Sequence, residues 1–282
     1  MKVCNGCQYF YHISCLPPLP VDNTDLRVFL IHTSKNVLDI KQQIFKTGHF
    51  RRIDDVNVNK FVINYEMIKQ YDSVLVFNGN NYWLEPEVLG DILAEYAENG
   101  GGVVLSCLSQ TETLGGKWRR LKYSPILPGK DRTGYQLTIG QVNKPYHPLM
   151  EDIRDFNGGN MSFHVAGVVN ERATVLARWS NGQPLVTVLD NHPGITRGKI
   201  ACLNFYPFSS NHVTLQNISE EGENIEVDAD YWDASTDGCV LFRNALRFVA
   251  QPTYHTEGGL FTCNRCVRTF PRCLHPCANH IP

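Results

Sequence analysis

The sequence has 282 residues, 43% of them hydrophobic and 19% charged, and its formal net charge is −2. That balance predicts no nucleic-acid partner, because a nucleic-acid footprint needs a clustered excess of Lys and Arg. No apolar run approaches the roughly 18 residues of a membrane span, so no membrane partner is predicted either.

The first 20 residues form a short segment rich in cysteine. Cys4, Cys7, His12 and Cys15 follow one another at spacings typical of zinc ligands. The segment lacks the apolar stretch of a secretory signal, so we expect an intracellular chain with reduced thiols, in either the nucleus or the cytoplasm. The prolines of residues 16–20 then mark a boundary before the next domain.

Two strands and a helix are predicted over residues 27–59. Residues 27–34 are an apolar run typical of a buried parallel strand. Residues 36–47 carry apolar side chains at helical spacing, and residues 52–59 alternate weakly, as a second strand does.

Residues 71–108 contain the clearest structural unit. A buried strand is predicted over 71–77 and a second one over 103–108. Between them, Glu85-Pro86-Glu87 opens a helix, since acids suit its positive end and Pro its first turn. Three glycines at 100–102 end that helix. This β–α–β order implies a right-handed crossover and a parallel sheet.

The second half of the domain is richer in strands. Candidate strands cover residues 136–142, 162–169, 174–179, 185–189 and 199–205, with a hairpin turn at 180–183. Residues 215–237 are acidic and poor in aliphatic side chains, which predicts a surface loop. A last helix over 237–250 completes a domain of about residues 26–251.

Residues 252–282 form a second segment rich in Cys and His. Cys263 and Cys266 have zinc-ligand spacing, and Cys273, His275 and Cys277 are candidates for the remaining ligands. The three central cysteines lie in apolar stretches, where a buried thiol is the simpler interpretation.

Three stretches of the domain resemble a known family. Residues 71–106, YDSVLVFNGNNYWLEPEVLGDILAEYAENGGGVVLS, resemble the core of class I glutamine amidotransferase-like domains, including the ThuA-like group. Residues 173–188 and 197–209 resemble later strands of its non-catalytic relatives. The resemblance implies an α/β fold, a flavodoxin-like three-layer sandwich with a mostly parallel central sheet, a β-rich second half and short Cys-rich termini.

The resemblance also assigns the positions of a catalytic triad. Active members place a Cys at a tight strand–helix turn and pair it with a His and a Glu after a later strand. Cys107 occupies the first position, but Tyr206 and Phe208 stand where His and Glu would be. A phenol with a pKa near ~10 cannot act as the thiol's base at neutral pH. The resemblance therefore implies a degenerate site with Cys107 as its catalytic candidate, unless His147 or His192 supplies a relocated base.

A ligand pocket is predicted at the carboxyl ends of the strands, the usual place in open α/β sheets. The candidate residues are His32, Ser34, Asn78, Gly79, Gln110 and Tyr206. The alternative is that these polar residues only cap strand ends. No cofactor is expected in this domain, because the sequence has neither a P-loop nor Gly-x-Gly-x-x-Gly.

Both terminal segments resemble parts of zinc fingers. Cys4 to Cys15, with its Tyr11-His12 step, resembles the middle of a PHD finger, which needs further cysteine pairs. Residues 261–270, FTCNRCVRTF, resemble the opening of a C2H2 finger, but Pro276 would break the helix that such a finger needs.

Four interpretations of the N-terminal segment stay open. The sequence begins inside a finger, or Cys4, Cys7, His12 and Cys15 form a Cys3His site of their own. Otherwise Cys4 and Cys7 share one zinc with Cys263 and Cys266, or the segment binds no metal.

Three functions are consistent with these features. The leading hypothesis is a non-enzymatic domain that binds a small ligand or a protein, in a chain with zinc-binding flanks. The second is a Cys107-dependent hydrolase or amidase. The third is a chromatin-associated module with a histone partner, which requires a complete finger.

Overall fold

A computed structural model describes residues 26–79, 82–107, 114–189, 192–195, 198–212 and 228–250. For the flanks it gives the backbone of five short strands, Lys2–Val3, Phe10–Tyr11, Tyr254–Glu257, Leu260–Cys263 and Arg268–Pro271. Those flanking strands pair into one antiparallel ribbon near the N-terminus and one three-stranded antiparallel sheet near the C-terminus.

The described part of the α/β domain has ten strands and five α-helices. In chain order they are β1 Leu26–His32, α1 Leu38–Phe45, β2 Phe50–Asn57, α2 Tyr65–Ile68, β3 Ser73–Phe77, α3 Pro86–Glu98, β4 Gly102–Ser106, α4 Gly116–Arg120, β5 Lys130–Arg132, β6 Ile139–Val142, β7 His164–Ala166, β8 Thr174–Trp179, β9 Pro184–Leu189, β10 Lys199–Leu203 and α5 Gly238–Ala250.

Eight of these strands form one sheet in the order β2-β1-β3-β4-β10-β9-β8-β6. The first five strands in this order are parallel and the last three pair antiparallel. The α/β fold with a mostly parallel central sheet is as the sequence predicts. Because β1 lies between β2 and β3, the parallel half has the flavodoxin-like order. The predicted hairpin joins β8 to β9.

Alternate residues of β1 face two different cores, as expected of a strand buried on both sides. Val28 and Leu30 join a cluster that includes residues of α1 and α5. Phe29 and Ile31 join a second cluster with residues of α2, α3 and α4. The helices therefore cover both faces of the sheet, and the layers form a three-layer sandwich.

The carboxyl side of β10 is fixed to the antiparallel half by one buried amide. The Asn204 side chain accepts the Val165 N–H at 2.9 Å and donates to the carbonyls of Val165 and Pro184. The Asn204 carbonyl accepts the indole N–H of Trp179 at 3.0 Å. These bonds set the position of the segment that follows β10.

One residue of a predicted surface loop is buried in the structure. Residues 215–237 were expected on the surface, yet Trp232 is 1% exposed and its indole N–H donates to the Pro207 carbonyl. Aromatic side chains in a segment poor in aliphatics still bury a large apolar area, which the composition alone does not show. Residues 213–227 lie outside the described part.

No helix in the described parts of the chain is long and apolar enough to cross a membrane.

Candidate functional site

The candidate site lies where four neighbouring parallel strands end. His32 ends β1, Asn78 follows β3, Cys107 follows β4, and Tyr206 comes three residues after β10. Parallel strands place their carboxyl ends at one edge of a sheet. The structure therefore brings these predicted residues to the same edge.

The loops after β1 and β3 are bonded directly to each other. The Thr33 hydroxyl donates to the Asn78 amide oxygen at 3.0 Å and accepts the Gly79 N–H at 2.8 Å. A Cβ on Gly79 would lie 2.3 Å from the Ser34 hydroxyl oxygen, so this approach requires glycine. Thr33 thus positions Asn78 and Gly79, two of the predicted pocket residues.

His32 is held neutral between two fixed partners. Its Nδ1 accepts the Ser34 N–H at 3.1 Å, which places the ring proton on Nε2, 3.2 Å from an Asp55 carboxylate oxygen. Burial lowers the pKa of His32 more strongly than Asp55 raises it. Both ring nitrogens are therefore occupied, and the ring has no lone pair available to deprotonate a thiol.

Lys41 completes this polar group. Its ammonium donates to the other Asp55 oxygen at 2.8 Å. Burial raises the pKa of Asp55, but the bonds from Lys41 and His32 outweigh that effect and leave the pKa below its usual value. The group therefore pairs one cation with one anion at neutral pH, and it adds no net charge to the site.

Cys107 lies in a closed aromatic and aliphatic environment. Its side chain is 0% exposed and packs against Val165, Phe163 and Tyr206. Its N–H donates to the Phe205 carbonyl at 3.1 Å, continuing the pairing of β4 with β10. That carbonyl also accepts the Ser106 hydroxyl at 2.6 Å.

The backbone at Cys107 also differs from a strained nucleophile turn. Among the described non-glycine residues, positive φ occurs at Lys122, Asp152 and Ser162. Cys107 is not among them, so its backbone does not adopt the left-handed conformation in which a strained turn can hold a residue. The position that the family resemblance assigned is occupied by a buried thiol in the turn directly after β4.

Tyr206 stands at the position that the family resemblance assigns to the catalytic base, and its phenol is neutral. Its ring stacks on Tyr231 at a centroid distance of 5.6 Å and lies 5.8 Å from Phe163. Its hydroxyl is 3.4 Å from that of Ser34. Burial raises the pKa of Tyr206 more than its hydrogen bond with Ser34 lowers it, and the neighbouring Tyr231 and Cys107 raise it further. The phenol is therefore a neutral hydrogen-bonding group throughout the physiological range.

Phe208 occupies the position of the expected Glu and serves packing. It is 4% exposed, stacks on His212 at 4.1 Å, and meets Phe77 edge-on at 6.2 Å. His212 and Tyr231 were not predicted from the sequence. No local pattern marks them, because tertiary packing alone brings them against the end of β10.

The two histidines considered as relocated bases lie at the opposite edge of the sheet. His192 follows β9, which runs antiparallel to β10, and its ring packs edge-on against Tyr123. His147 packs at 4.9 Å against Phe248, near the end of α5. Neither histidine is placed to serve Cys107.

The side chains of the remaining predicted site residues are not described. Gln110, Cys4, Cys7, His12, Cys15 and Cys266 lie outside the described residues, and for Cys263 the structure gives the backbone alone. Within the described side chains, no group of three or more His, Cys, Asp or Glu is arranged to hold a metal ion.

Known structures share this fold. A ThuA-like protein from Parabacteroides merdae superposes with a TM-score of 0.54 at 16% identity, covering 88% of this chain and 95% of its own. A ThuA-like protein from Bacteroides uniformis gives 0.52 at 17% identity, covering 79% and 91%. A glutamine amidotransferase from Thermotoga maritima gives 0.50 at 12% identity, covering 80% and 98%.

At these identities the likeness concerns the fold alone, since one fold supports many functions. No protein-family model and no curated protein sequence matches the chain. The described domain therefore has a ThuA-like and class I glutamine amidotransferase-like fold, and its function has to be argued from the site.

Proposed function

We propose that this domain binds a small neutral ligand at the carboxyl edge of its sheet and carries out no cysteine-based hydrolysis. The burial of Cys107 among Val165, Phe163 and Tyr206 is the observation that carries the proposal. A nucleophile must be exposed and paired with a base. Here the thiol is enclosed, and the base position holds a neutral phenol.

The chemistry of the edge indicates the class of ligand. Ser34 and Tyr206 offer two neutral hydroxyls, and the partly buried rings of Phe163 and Tyr231 offer apolar faces. Lys41 and Asp55 neutralise each other. A ligand with hydroxyl or amide groups and an apolar side matches this set, whereas a strongly charged ligand finds no counter-ion among these groups.

The hydrolysis part is tested on the full chain with two measurements. Timed iodoacetamide labelling with peptide mapping should modify Cys239, which is partly exposed, well before Cys107 and Cys202, which are buried. Release of ammonia from L-glutamine or butyramide should be the same with wild type and Cys107→Ala. Rapid labelling of Cys107 together with Cys107-dependent turnover would overturn the proposal in favour of a hydrolase.

The binding part is tested with neutral probes. Isothermal titration with butyramide and xylitol should give saturable binding of at least one probe, weakened in Tyr206→Phe. Tyr135→Phe is the matched control, because Tyr135 is an exposed phenol outside this group. Absence of binding by both probes, or equal binding by Tyr206→Phe and wild type, argues against this edge as the ligand site.

We also propose that the flanks bind zinc. The spacing of Cys263 and Cys266 supports this, as does the pairing of Leu260–Cys263 with Arg268–Pro271, in which Cys263 is the last paired residue of its strand. Metal analysis of the full chain should find zinc that is lost in C263S/C266S and retained in Cys239→Ser. If the metal analysis finds no zinc in the chain, this proposal is wrong, and so is the chromatin-associated alternative.

A further inference from the structure

A shallow apolar groove lies on the α3 side of the sheet, and within the described part of the chain its rim is open to solvent. Phe61 and Val62, in the loop after β2, form one wall and are 62% and 53% exposed. Leu84 and Val88, just before and inside α3, form the other wall and are 49% and 40% exposed. Single exposed apolar side chains are ordinary, but a contiguous set marks an interaction surface. We call this surface the Phe61 groove.

The two walls of the Phe61 groove are bonded to each other. The Leu84 N–H donates to the Val58 carbonyl at 3.1 Å, and the Asn59 amide donates to the Tyr82 carbonyl at 2.8 Å. Trp83 lines the groove and is 5% exposed. The folded chain therefore holds the groove in a fixed shape.

The Phe61 groove is too shallow for a small molecule. It encloses about 10 Å³, roughly the room for one water molecule. Small-ligand sites enclose roughly 300–1,000 Å³ and bury most of the ligand. The groove therefore fits the surface of another protein chain, which can lay apolar side chains along it.

Opposite charges lie on the two walls at one end of the groove. Lys60 precedes Phe61, Glu85 follows Leu84, and both charged residues are exposed. The bond between Val58 and Leu84 places them at the same end. The Glu85 side chain does not cap α3, and among the described residues neither Lys60 nor Glu85 has an ion-pair partner. Both charges are therefore available to a partner.

This arrangement is complementary to itself. In a dimer whose twofold axis runs along the groove, the loop wall of one protomer lies on the helix wall of the other, and each end of the groove stays at its own end. Phe61 then packs towards the partner's Val88. Lys60 faces the partner's Glu85, and the symmetry forms this pair twice. An axis across the groove would instead bring Glu85 towards the partner's Glu95, and like charges oppose that arrangement.

We propose that the Phe61 groove is the interface of a homodimer of this chain. A second copy is the partner that this surface fits, because the surface supplies both apolar walls and both signs of charge. A different protein, or another segment of this chain, would have no reason to restore binding when Lys60 and Glu85 exchange their charges. That difference separates the second copy from other occupants.

Sedimentation velocity of the full chain tests the proposal. At about 100 μM, above the roughly micromolar Kd of the weaker standard interfaces, the measured mass should be twice the 31.9 kDa of one chain. Phe61→Ser should raise the dissociation constant of the dimer at least about tenfold, as for loss of one buried Phe. Phe45→Ser is the matched control and should leave it unchanged, because Phe45 is 59% exposed but lies on α1, outside the groove.

A charge exchange tests the pairing across the interface. Lys60→Glu and Glu85→Lys each place like charges together in both symmetry-related contacts, so each should raise the dissociation constant about tenfold or more. K60E/E85K should bring it back to within about threefold of the wild type, and Lys46→Glu, at an exposed position on α1, should leave it unchanged. A wild type that stays monomeric at about 100 μM, equal dimerisation of Phe61→Ser and wild type, or no recovery in K60E/E85K would overturn the proposal.

Discussion

The hydroxyl oxygens of Ser34 and Tyr206 lie 3.4 Å apart, although 172 positions separate the two residues in the chain. Ser34 comes two residues after β1, and Tyr206 comes three residues after β10, which is separated from β1 by strands β3 and β4 in the sheet. This contact joins the loops across the edge where a catalytic centre is expected. Replacing Tyr206 by Phe removes one oxygen atom of this contact and therefore tests it directly.

Tyr206→Phe should cost about 1 kcal/mol of unfolding free energy, the usual net value of one neutral hydrogen bond. Tyr206→Ala should cost about 3–5 kcal/mol, because it also removes the ring that stacks on Tyr231. Urea unfolding followed by tryptophan fluorescence measures both. Equal losses in the two variants would show that the hydroxyl, and not the ring, determines stability at this position.

Gly79→Ala should destabilise the domain by about 1–3 kcal/mol, as overpacking does in a filled site. The added Cβ would meet the Ser34 hydroxyl oxygen at 2.3 Å and its Cα at 2.9 Å. S34A/G79A should recover part of the loss, since it removes the first contact and keeps the second. Thermal unfolding of the single and double variants measures this coupling, and purely additive losses would contradict it.

Asn204→Ala should be among the most destabilising single changes in the second half of the domain, at about 3 kcal/mol or more. It leaves the Val165 N–H and the carbonyls of Val165 and Pro184 without their amide partner in a fully buried place. Asn204→Asp should be at least as damaging, because it puts a carboxylate against two carbonyls. Asn181→Ala, at an exposed turn, is the control, and denaturant midpoints compare the three.

Stability should fall as the pH drops below about 6.5. Burial lowers the folded-state pKa of His32 and of His212, so below 6.5 the unfolded chain binds more protons than the folded one. Each buried histidine removes up to about 1.4 kcal/mol per pH unit until the pH reaches its folded pKa. Asp55, with a lowered pKa, adds to the loss only below about pH 4.

Urea unfolding at pH 7.5, 6.5 and 5.5 measures this slope. H32N/H212N should flatten it, because Asn does not titrate. Lys46→Gln is a control that changes an exposed charge and should keep the wild-type slope. A slope that is the same in H32N/H212N and in the wild type would show that other groups govern the acid response.

Local patterns in the sequence were enough to predict the strands and helix of the unit from β3 to β4 in the parallel half of the fold. The unit from β3 to β4 was predicted within two residues at each end, because a buried strand, a Pro-opened helix and a glycine stop are all local features. The antiparallel order β10-β9-β8-β6 was not predicted beyond the hairpin. Strand order depends on contacts between distant residues, which periodicity does not contain.

The residue types at the carboxyl edge are known from the sequence alone: Cys107, Tyr206 and Phe208 stand at the positions that the family resemblance assigns to the Cys, His and Glu of a triad. The packing of distant segments, which the sequence does not show, encloses Cys107, pairs both nitrogens of His32 with Asp55 and Ser34, and puts His147 and His192 at the opposite edge. The physical reason is that exposure, hydrogen-bond partners and pKa depend on the atoms packed around a group. Strands and loops far apart in the chain supply those atoms, so a motif fixes the residue types but not their environment.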